Sequence, residues 1–222
     1  MCPIARLHHA DQTGSFLSGK PNKFHEFKAL GPDTGQAHPN KEIKMNAVQE
    51  LNENELPPYD TSDNPTNCCP RFDPTGWNDR HVHFKDKLFL VAKTRSFFHI
   101  PINMGKIFTK TLAAIETEQA MSPDGFVVLS RDTSKWTGEH YFSVCKAIPG
   151  QTMVRLSGDY QTRVFEGPFK NVGKWCKELA GIASGDAGSF FFYTTCPKCA
   201  KQYGKNYVVG FAGLGTEKME SG

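Results

Sequence analysis

Residues 94–106 of the chain have the sequence TRSFFHIPINMGK, and residues 162–174 have the related sequence TRVFEGPFKNVGK. The two stretches align without a gap and share Thr, Arg, Phe, Asn, Gly and Lys at the same relative positions. An internal repeat constrains the architecture of a chain more than any single motif does. The pair therefore predicts one domain made of two related halves with a cleft between them.

The residues around each copy predict a strand, a helix and two further strands. Hairpins inside each half favour antiparallel pairing, with the helices laid against the sheet. We therefore expect an α+β fold of duplicated β-α-β-β units, forming a mostly antiparallel sheet of about eight strands with two helices on one face and a central groove. Gly105 and Gly173 fall inside the helix patterns and are expected to allow close packing. Helical spacing is seen at two sets of apolar residues: Met104, Ile107, Phe108, Leu112 and Ile115, and Val172, Trp175, Cys176 and Leu179.

The first part of the chain differs in composition from the rest. Residues 1–67 are rich in Gly, Pro, Asn, His and Lys, and their apolar residues are isolated from one another. Such a segment buries too little apolar surface to offset the entropy lost on ordering. We predict an extended or disordered leader over residues 1–67, a folded domain over residues 68–216 and a flexible tail over residues 217–222.

Charge and hydropathy exclude several classes of protein. The formal net charge is +3, from 26 basic and 23 acidic residues, and the basic residues are scattered, so a nucleic-acid partner is not expected. No apolar run is long enough to span a membrane, and the first residues have no signal-peptide pattern. We expect a cytoplasmic protein with a small-molecule ligand, and the pattern leaves its oligomeric state open.

The second copy of the repeat also carries a family resemblance. Residues 164–169 (VFEGPF), followed by Trp175, form a strand-to-helix turn that resembles the Gly-Pro-aromatic element of the GyrI-like small-molecule-binding domains. These domains are related to the effector domains of Rob- and BmrR-type regulators and to SOUL haem-binding proteins. The resemblance covers roughly residues 84–214 in the order of the elements, and motif identity is confined to the short turns.

The resemblance implies a groove between the two halves that binds hydrophobic or cationic small molecules. Some members of the family are stand-alone hydrolases that act on strained, electrophilic compounds such as cyclopropanoids. The chain has no recognisable helix-turn-helix before the domain, which argues against a transcription factor. A hydrolase-type member is therefore expected, and the alternative is a non-catalytic protein that binds a small molecule or a tetrapyrrole and carries a structural zinc knuckle.

Three residues are candidates for catalysis. Glu166 ends a strand at the junction of the halves, where an aromatic groove would raise its pKa and allow it to activate water. The competing interpretation is a solvated side chain at the end of the strand. His99 lies beside the matching turn of the first copy and could act as an acid–base partner, although packing at the sheet edge is the competing interpretation. Tyr141 could orient a substrate or donate a hydrogen bond, or it could simply pack. No cofactor is required for this chemistry.

Four further residues are candidates for ligand binding: Trp136, Phe98, His140 and Tyr193. Trp136 lies in a loop between two strands and could stack on a flat or cationic ligand. His140 and Tyr141 are adjacent in a strand, so only one of them can face inward. Tyr193 belongs to an aromatic-rich strand, where a core position competes with a place in the pocket wall.

The cysteines form a possible metal site of their own. Cys196 and Cys199 are separated by two residues, and we expect them on a hairpin tip where both could bind one ion, with Cys68 and Cys69 as the other ligands of a structural zinc. Cys-x-x-Cys also marks redox sites that open a helix after a strand, but the residues after Cys199 predict a turn into a strand, which disfavours redox chemistry. Thiols without a metal are the third interpretation.

Overall fold

The computed structural model describes residues 51–122, 125–185 and 188–222. The prediction of an extended or disordered leader falls mostly on residues 1–50, which lie outside the described residues. Residues 51–67 form neither a helix nor a strand, and Leu56 among them is buried.

Seven strands and three α-helices make up this part of the chain. The strands are β1 (His81–Phe97), β2 (Ile100–Pro101), β3 (Val128–Ser134), β4 (Thr137–Ser143), β5 (Met153–Glu166), β6 (Ser189–Tyr193) and β7 (Tyr207–Ser221). The helices are α1 (Met104–Thr117), α2 (Val172–Ala180), which follows a 3₁₀ turn over Phe169–Asn171, and α3 (Pro197–Tyr203). The predicted α+β class and the helices after the two copies of the repeat are confirmed.

The strands close into a barrel. Their order is β2-β1-β4-β3-β6-β7-β5, and β5 pairs back with β1, so six strands form the closed ring while β2 extends β1 at the edge. Every pairing between these strands is antiparallel, as expected. The prediction of a mostly antiparallel sheet with two helices on one face was incomplete, because the sheet curls into a barrel and there is a third helix, and duplicated β-α-β-β units are not seen within the described residues.

The length of β1 explains the closure. This strand has 17 residues, of which residues 81–90 pair with β5 and residues 89–95 pair with β4. Its register shifts between Phe84 and Lys87, and Asp86 adopts a φ of 50°. Bulges of this kind bend a strand and increase its twist, which allows one strand to serve both sides of a ring.

Side chains fill the inside of the barrel, so it is a packed core rather than a channel. Successive residues of each strand alternate between the lumen and the outer face. The lumen holds many aromatic rings, which bury large apolar areas. Its buried strand residues are Val82, Phe84, Phe89, Leu129, Tyr141, Leu156, Tyr160, Phe190, Phe192, Val209 and Phe211.

The two longer helices pack on the outside of the barrel. In α1, Leu112 and Ile115 contact the outward residues of β1 and β4, and in α2, Trp175 and Leu179 contact those of β5, β6 and β7. A Cβ atom at Gly210 of β7 would lie 2.7 Å from Leu179 Cδ1, so this glycine allows the close approach of α2.

Gly105 and Gly173 do not have the packing role that we expected of them. A Cβ atom at either position would meet nothing within 4 Å, because both glycines face open space. The close packing of α2 depends instead on Gly210 in strand β7 beneath it.

The two ends of the barrel are defined by the strand ends that meet there. At the upper end, β1 and β3 finish and β4 and β6 begin; at the lower end, β6 and β5 finish and β7 begins. The first copy of the repeat therefore reaches the upper end, and the second copy reaches the lower end. The residues that carry the chemistry below divide between these ends.

Candidate active site and candidate metal centre

Strand β4 brings a carboxylate and a phenol into the upper part of the lumen. Gly138, His140 and Phe142 face outward, so Glu139 and Tyr141 face inward. The Tyr141 hydroxyl donates a hydrogen bond of 2.5 Å to Glu139 Oε2. The Glu139 side chain is only 15% exposed, so this carboxylate is nearly desolvated yet still reachable from the upper end.

Two cations face the same carboxylate. Lys93 Nζ of β1 lies 3.0 Å from Glu139 Oε1, and Arg131 Nη2 of β3 lies 3.5 Å from Glu139 Oε2. The Lys93 side chain is 69% exposed, so its ammonium group meets solvent at the barrel mouth. We name Lys93, Arg131, Glu139 and Tyr141 the mouth cluster.

Aromatic rings hold the guanidinium of Arg131 in place. Its Cζ lies 5.3 Å from the ring centroid of Tyr141 and 5.2 Å from that of Phe190. Cation–π contacts of this kind are strongest where water is excluded. Met219 of β7 covers the same group, with its sulfur 3.7 Å from Arg131 Nη2. The guanidinium of Arg131 is therefore held in place by its neighbours, and charges held in place stabilise a reacting group without reorganisation.

The protonation states of Glu139 and Tyr141 follow from the groups around them. Burial raises the pKa of Glu139, but the hydrogen bonds from Tyr141 and Lys93 outweigh it, so the pKa lies below its usual value. Burial and the hydrogen bond to Glu139 raise the pKa of Tyr141. At neutral pH the carboxylate is ionised and the phenol keeps its proton, so Tyr141 donates the hydrogen bond and the Glu139 carboxylate accepts it.

An exposed aromatic rim lies at the same end of the barrel. Phe97, Phe98 and Trp136 contact one another with ring centroids 5.0–5.7 Å apart, and each is more than half exposed. Phe98 and His99 both have positive φ, 48° and 67°, which is rare for bulky residues and strains the turn between β1 and β2. The structure thus brings together two of the predicted ligand-binding residues, Phe98 and Trp136.

His99 lies at this rim and is exposed. Its Nδ1 is 2.8 Å from Asp132 Oδ2, and its backbone N–H donates to the Lys135 carbonyl. These two contacts hold the strained turn against the β3–β4 hairpin. His99 therefore has a carboxylate partner of its own, outside the mouth cluster.

His140 is buried on the outer face of the barrel. It is 4% exposed, lies between the hydroxyls of Thr94 (3.0 Å) and Ser130 (2.8 Å), and is covered by the Phe108 ring of α1. Burial lowers the pKa of His140 to about 4, so the ring is neutral near pH 7. The structure places this predicted ligand-binding residue under a helix, away from Tyr141 and the lumen.

Glu166 lies at the lower end of the barrel, and the environment that we expected for it is not found. Its side chain is exposed at the end of β5, whereas we expected an aromatic groove to desolvate it. Tyr193, at the end of β6, packs near Phe169 and Phe191 on the outer face. Burial raises the pKa of Tyr193. Neither residue joins the mouth cluster.

Sequence reasoning missed Glu139, Arg131 and Lys93. The signal for Glu139 was the alternation that placed Tyr141 on the inward face, because a residue two positions away in a strand shares that face. The cross-strand positions of Arg131 and Lys93, both paired with Glu139, depend on the order of the strands and leave no local pattern.

The four predicted metal ligands do come together. The sulfur atoms of Cys68, Cys69, Cys196 and Cys199 all lie within 4.8 Å of one another, and these four close cysteines could hold a metal ion. Burial raises the pKa of Cys69. Burial also acts to raise the pKa of Cys199, but hydrogen bonds with Thr66 and Cys196 outweigh it and leave the pKa lowered.

The local structure around Cys196 differs from the expected hairpin tip. Cys196 is the N-cap of α3, and Cys199 lies in the first turn of that helix, directly after β6. The stated reason against a redox site, that no helix follows, is therefore wrong. Pro197 at the first helical position favours a helix there, and Gly204 ends it in a left-handed conformation.

Comparisons with known proteins place the chain in a family. Residues 59–214 match the family described as Bacterial hydrolase, which covers well over half of the chain and includes the mouth cluster and all four clustered cysteines. No curated protein and no solved structure matches. Within the described residues, none of the helices is both long and apolar enough for a membrane span. The chain belongs to the bacterial hydrolase family.

Proposed function

We propose that this protein hydrolyses a small, largely apolar and electrophilic compound at the upper end of the barrel. The observation that carries the proposal is the short hydrogen bond between Tyr141 and the nearly buried Glu139, flanked by two cations. A titratable pair with a shifted pKa at the mouth of a barrel is a common form of active site. The family match supports a hydrolase, and the substrate is inferred from the lining residues.

In the proposed reaction, Glu139 acts as a general base. Its carboxylate takes a proton from a water molecule as the water oxygen bonds to the electrophilic carbon, and the bond from that carbon to the leaving atom breaks. The leaving atom takes the electron pair and then a proton from solvent. Lys93, at the solvent edge, stabilises the developing negative charge, and Tyr141 holds the carboxylate in position.

Glu139 is preferred to Glu166 because a useful base must be partly shielded and correctly oriented. Glu139 has a hydrogen-bond donor and two cations around it, whereas Glu166 is exposed. Glu166 alone remains a competing assignment for the base, because His99 lies at the opposite end of the barrel and cannot assist it. Matched Gln variants of the two glutamates separate the two assignments.

The aromatic rim favours a flat or cationic substrate. Phe97, Phe98 and Trp136 offer exposed ring faces at the same end of the barrel as the mouth cluster, and ring faces attract both apolar and cationic groups. Such a ligand agrees with the proposed relationship to GyrI-like and SOUL proteins, which rests on the turn at residues 164–169. Binding of a hydrophobic compound or a tetrapyrrole without turnover is the second candidate, because an aromatic rim alone suffices for it.

A screen for ligands and turnover separates the two candidates. The wild type and Glu139→Gln are incubated with a panel of activated aryl esters, epoxides and cyclopropane-bearing electrophiles, and bound and converted compounds are read by mass spectrometry. A hydrolase predicts that Glu139→Gln binds a panel member but converts it about 10²–10⁴-fold more slowly. Binding by both proteins with no conversion by either would support the non-catalytic candidate instead.

We also propose that the four-cysteine cluster binds a zinc ion and that this zinc has a structural role. Four thiolates in a tetrahedral set are typical ligands of structural zinc and leave no open position for a substrate. Cys68 is disulfide-bonded in this structure, so it becomes the fourth ligand only when that disulfide is reduced. The cluster belongs to the lower end of the barrel, so no step of the proposed reaction involves it. Metal analysis of the purified protein should find about one zinc per chain, and its absence with all four thiols reactive would refute this assignment.

A further inference from the structure

Residues 56–77, which we name the cap segment, cover the lower end of the barrel. They contain no helix or strand, yet Phe72 and Trp77 are buried in the same apolar cluster as the lumen. The rings of Tyr59, Phe72 and Trp77 lie 5.9, 6.2 and 5.8 Å from the ring of Phe192 at the end of β6. The cap segment therefore closes the lumen with aromatic side chains.

Such a segment needs fastening from outside itself. Ordering irregular backbone costs conformational entropy, and a loop without a ladder of hydrogen bonds recovers little of that cost. Its internal hydrogen bonds form turns and single links, such as Arg71 N–H to the Asp63 carbonyl at 2.7 Å and Trp77 Nε1 to the Pro58 carbonyl at 3.0 Å, and not a continuous ladder. Metal binding between such a segment and a rigid scaffold directly stabilises the folded state.

The four-cysteine cluster joins the cap segment to the barrel. Cys68 and Cys69 belong to the cap segment, whereas Cys196 and Cys199 belong to β6–α3. The sulfur of Cys68 lies 3.7 Å from that of Cys69 and 3.9 Å from that of Cys196. Zinc–sulfur bonds of about 2.3 Å in a tetrahedron require sulfur–sulfur distances of about 3.8 Å, so these two distances fit a bound zinc ion.

The surroundings of the sulfurs support a closed structural site. Cys69 is fully buried, and its sulfur accepts a hydrogen bond from the Cys196 backbone N–H at 3.3 Å. The Tyr203 hydroxyl of α3 donates to the Cys69 carbonyl at 2.5 Å and lies 3.0 Å from the Thr66 hydroxyl. Outer hydrogen bonds of this kind orient the ligands of a metal site, and here they also cross from α3 to the cap segment.

We infer that zinc in the four-cysteine cluster fastens the cap segment to α3 and so keeps the lower end of the barrel closed. The inference rests on the proposed zinc site and adds a role to it. When zinc leaves, the bonds that it makes between Cys68–Cys69 and α3 are lost, while direct contacts such as the hydrogen bonds from Tyr203 and from the Cys196 N–H to Cys69 remain. The cap segment then opens locally and exposes Phe72 and Trp77, while the strand ladders of the barrel remain paired.

Hydrogen exchange read by mass spectrometry tests the inference on the full chain. The zinc-loaded protein and the same protein after zinc removal by a chelator are both measured under reducing conditions, so that Cys68 is a thiol in each sample. The expected result is at least tenfold faster exchange in peptides from residues 56–77, with unchanged exchange in β5 and β7. The matched variants are Cys199→Ser, which should lose zinc and show the fast exchange, and Cys176→Ser, which should retain both zinc and slow exchange.

The possible outcomes distinguish the fastening role of zinc from the existence of the zinc site. If zinc is bound and its removal leaves exchange in residues 56–77 unchanged, the fastening role is wrong while the zinc site stands. If no zinc is bound, the proposed site and the inference both fail. Fast exchange across the whole barrel after zinc removal would also contradict the inference, because it would mean global unfolding. Zinc content and the circular dichroism of each variant are measured alongside, so that a misfolded Cys199→Ser is recognised.

Discussion

The two ends of the barrel carry different kinds of side chain. The upper end exposes aromatic rings and holds a carboxylate, a phenol and two cations at the lumen mouth. The lower end is covered by the cap segment, whose buried rings and cysteines face the barrel. In the proposed function the charges that meet a ligand lie at the upper end, while apolar surface at the lower end is kept from water by the cap segment. The predictions below test that division from the largest expected effect to the smallest.

The cap segment should dominate stability. Replacing Phe72 by Ala removes a buried ring from the lower end and is expected to lower the free energy of unfolding by about 3–5 kcal/mol. The matched change at the upper end, Phe97→Ala, removes an exposed ring and should cost less than about 0.5 kcal/mol. Urea unfolding of both variants checks the difference. Equal losses at the two ends would contradict the division.

Acid should destabilise the protein through His140. Burial lowers the folded-state pKa of His140 to about 4, whereas the unfolded chain binds this proton near the ordinary value of 6.5. Between these values the unfolded state holds more protons, so stability falls as pH drops from 6.5 towards 4. The loss from this group is about 1.6 kcal/mol between pH 6.5 and pH 5.

The measurement is urea unfolding at both pH values, with His140→Asn as the comparison. In that variant the part of the pH dependence owed to His140 should vanish. An unchanged slope in His140→Asn would show that another group causes the loss.

Tyr141 should affect turnover through Glu139. Tyr141→Phe removes the hydrogen bond to the carboxylate, so we expect about a tenfold lower kcat. Because that bond lowers the pKa of Glu139, its removal should also move the acid limb of the pH–rate profile to higher pH. A purely structural role would lower the amount of folded enzyme and leave the acid limb in place.

The aromatic rim should give the smallest effect. Trp136→Ala removes an exposed ring and should weaken binding of a cationic substrate about threefold, with kcat unchanged. The matched variant is Trp136→Phe, which keeps a ring and should retain most of the affinity. Isothermal titration with the best compound of the panel measures the difference. Equal affinities in all three proteins would remove the rim from the binding site.

The class of the fold could be predicted from local patterns, and its closure could not. Apolar spacing after residue 104 and after residue 172 predicted α1 and α2, and hairpin signals predicted antiparallel strands. Closure depends on the bulge between Phe84 and Lys87 and on the pairing of β1 with two partners, which are contacts between residues far apart in sequence. Helix α3 was missed because seven residues are too few to show a helical period.

The candidate metal centre was more predictable than the candidate active site. Cysteines are rare and their spacing is informative, so Cys68, Cys69, Cys196 and Cys199 could be grouped from the sequence. Charged residues are common and usually exposed, and nothing local distinguishes the enclosed Glu139 from the exposed Glu166. The difference in exposure between Glu139 and Glu166 arises from the strands that lie beside each residue, and the order of those strands is a property of the topology.

The most direct test of the account is the source of the oxygen atom in the product. A converted panel compound is incubated in H₂¹⁸O with the wild type, Glu139→Gln and Glu166→Gln, and the rate of ¹⁸O incorporation is measured. The account predicts that the wild type and Glu166→Gln label the product at the same rate, whereas Glu139→Gln is slower by about 10² or more while remaining folded. Full activity in Glu139→Gln, with the loss in Glu166→Gln instead, would contradict it.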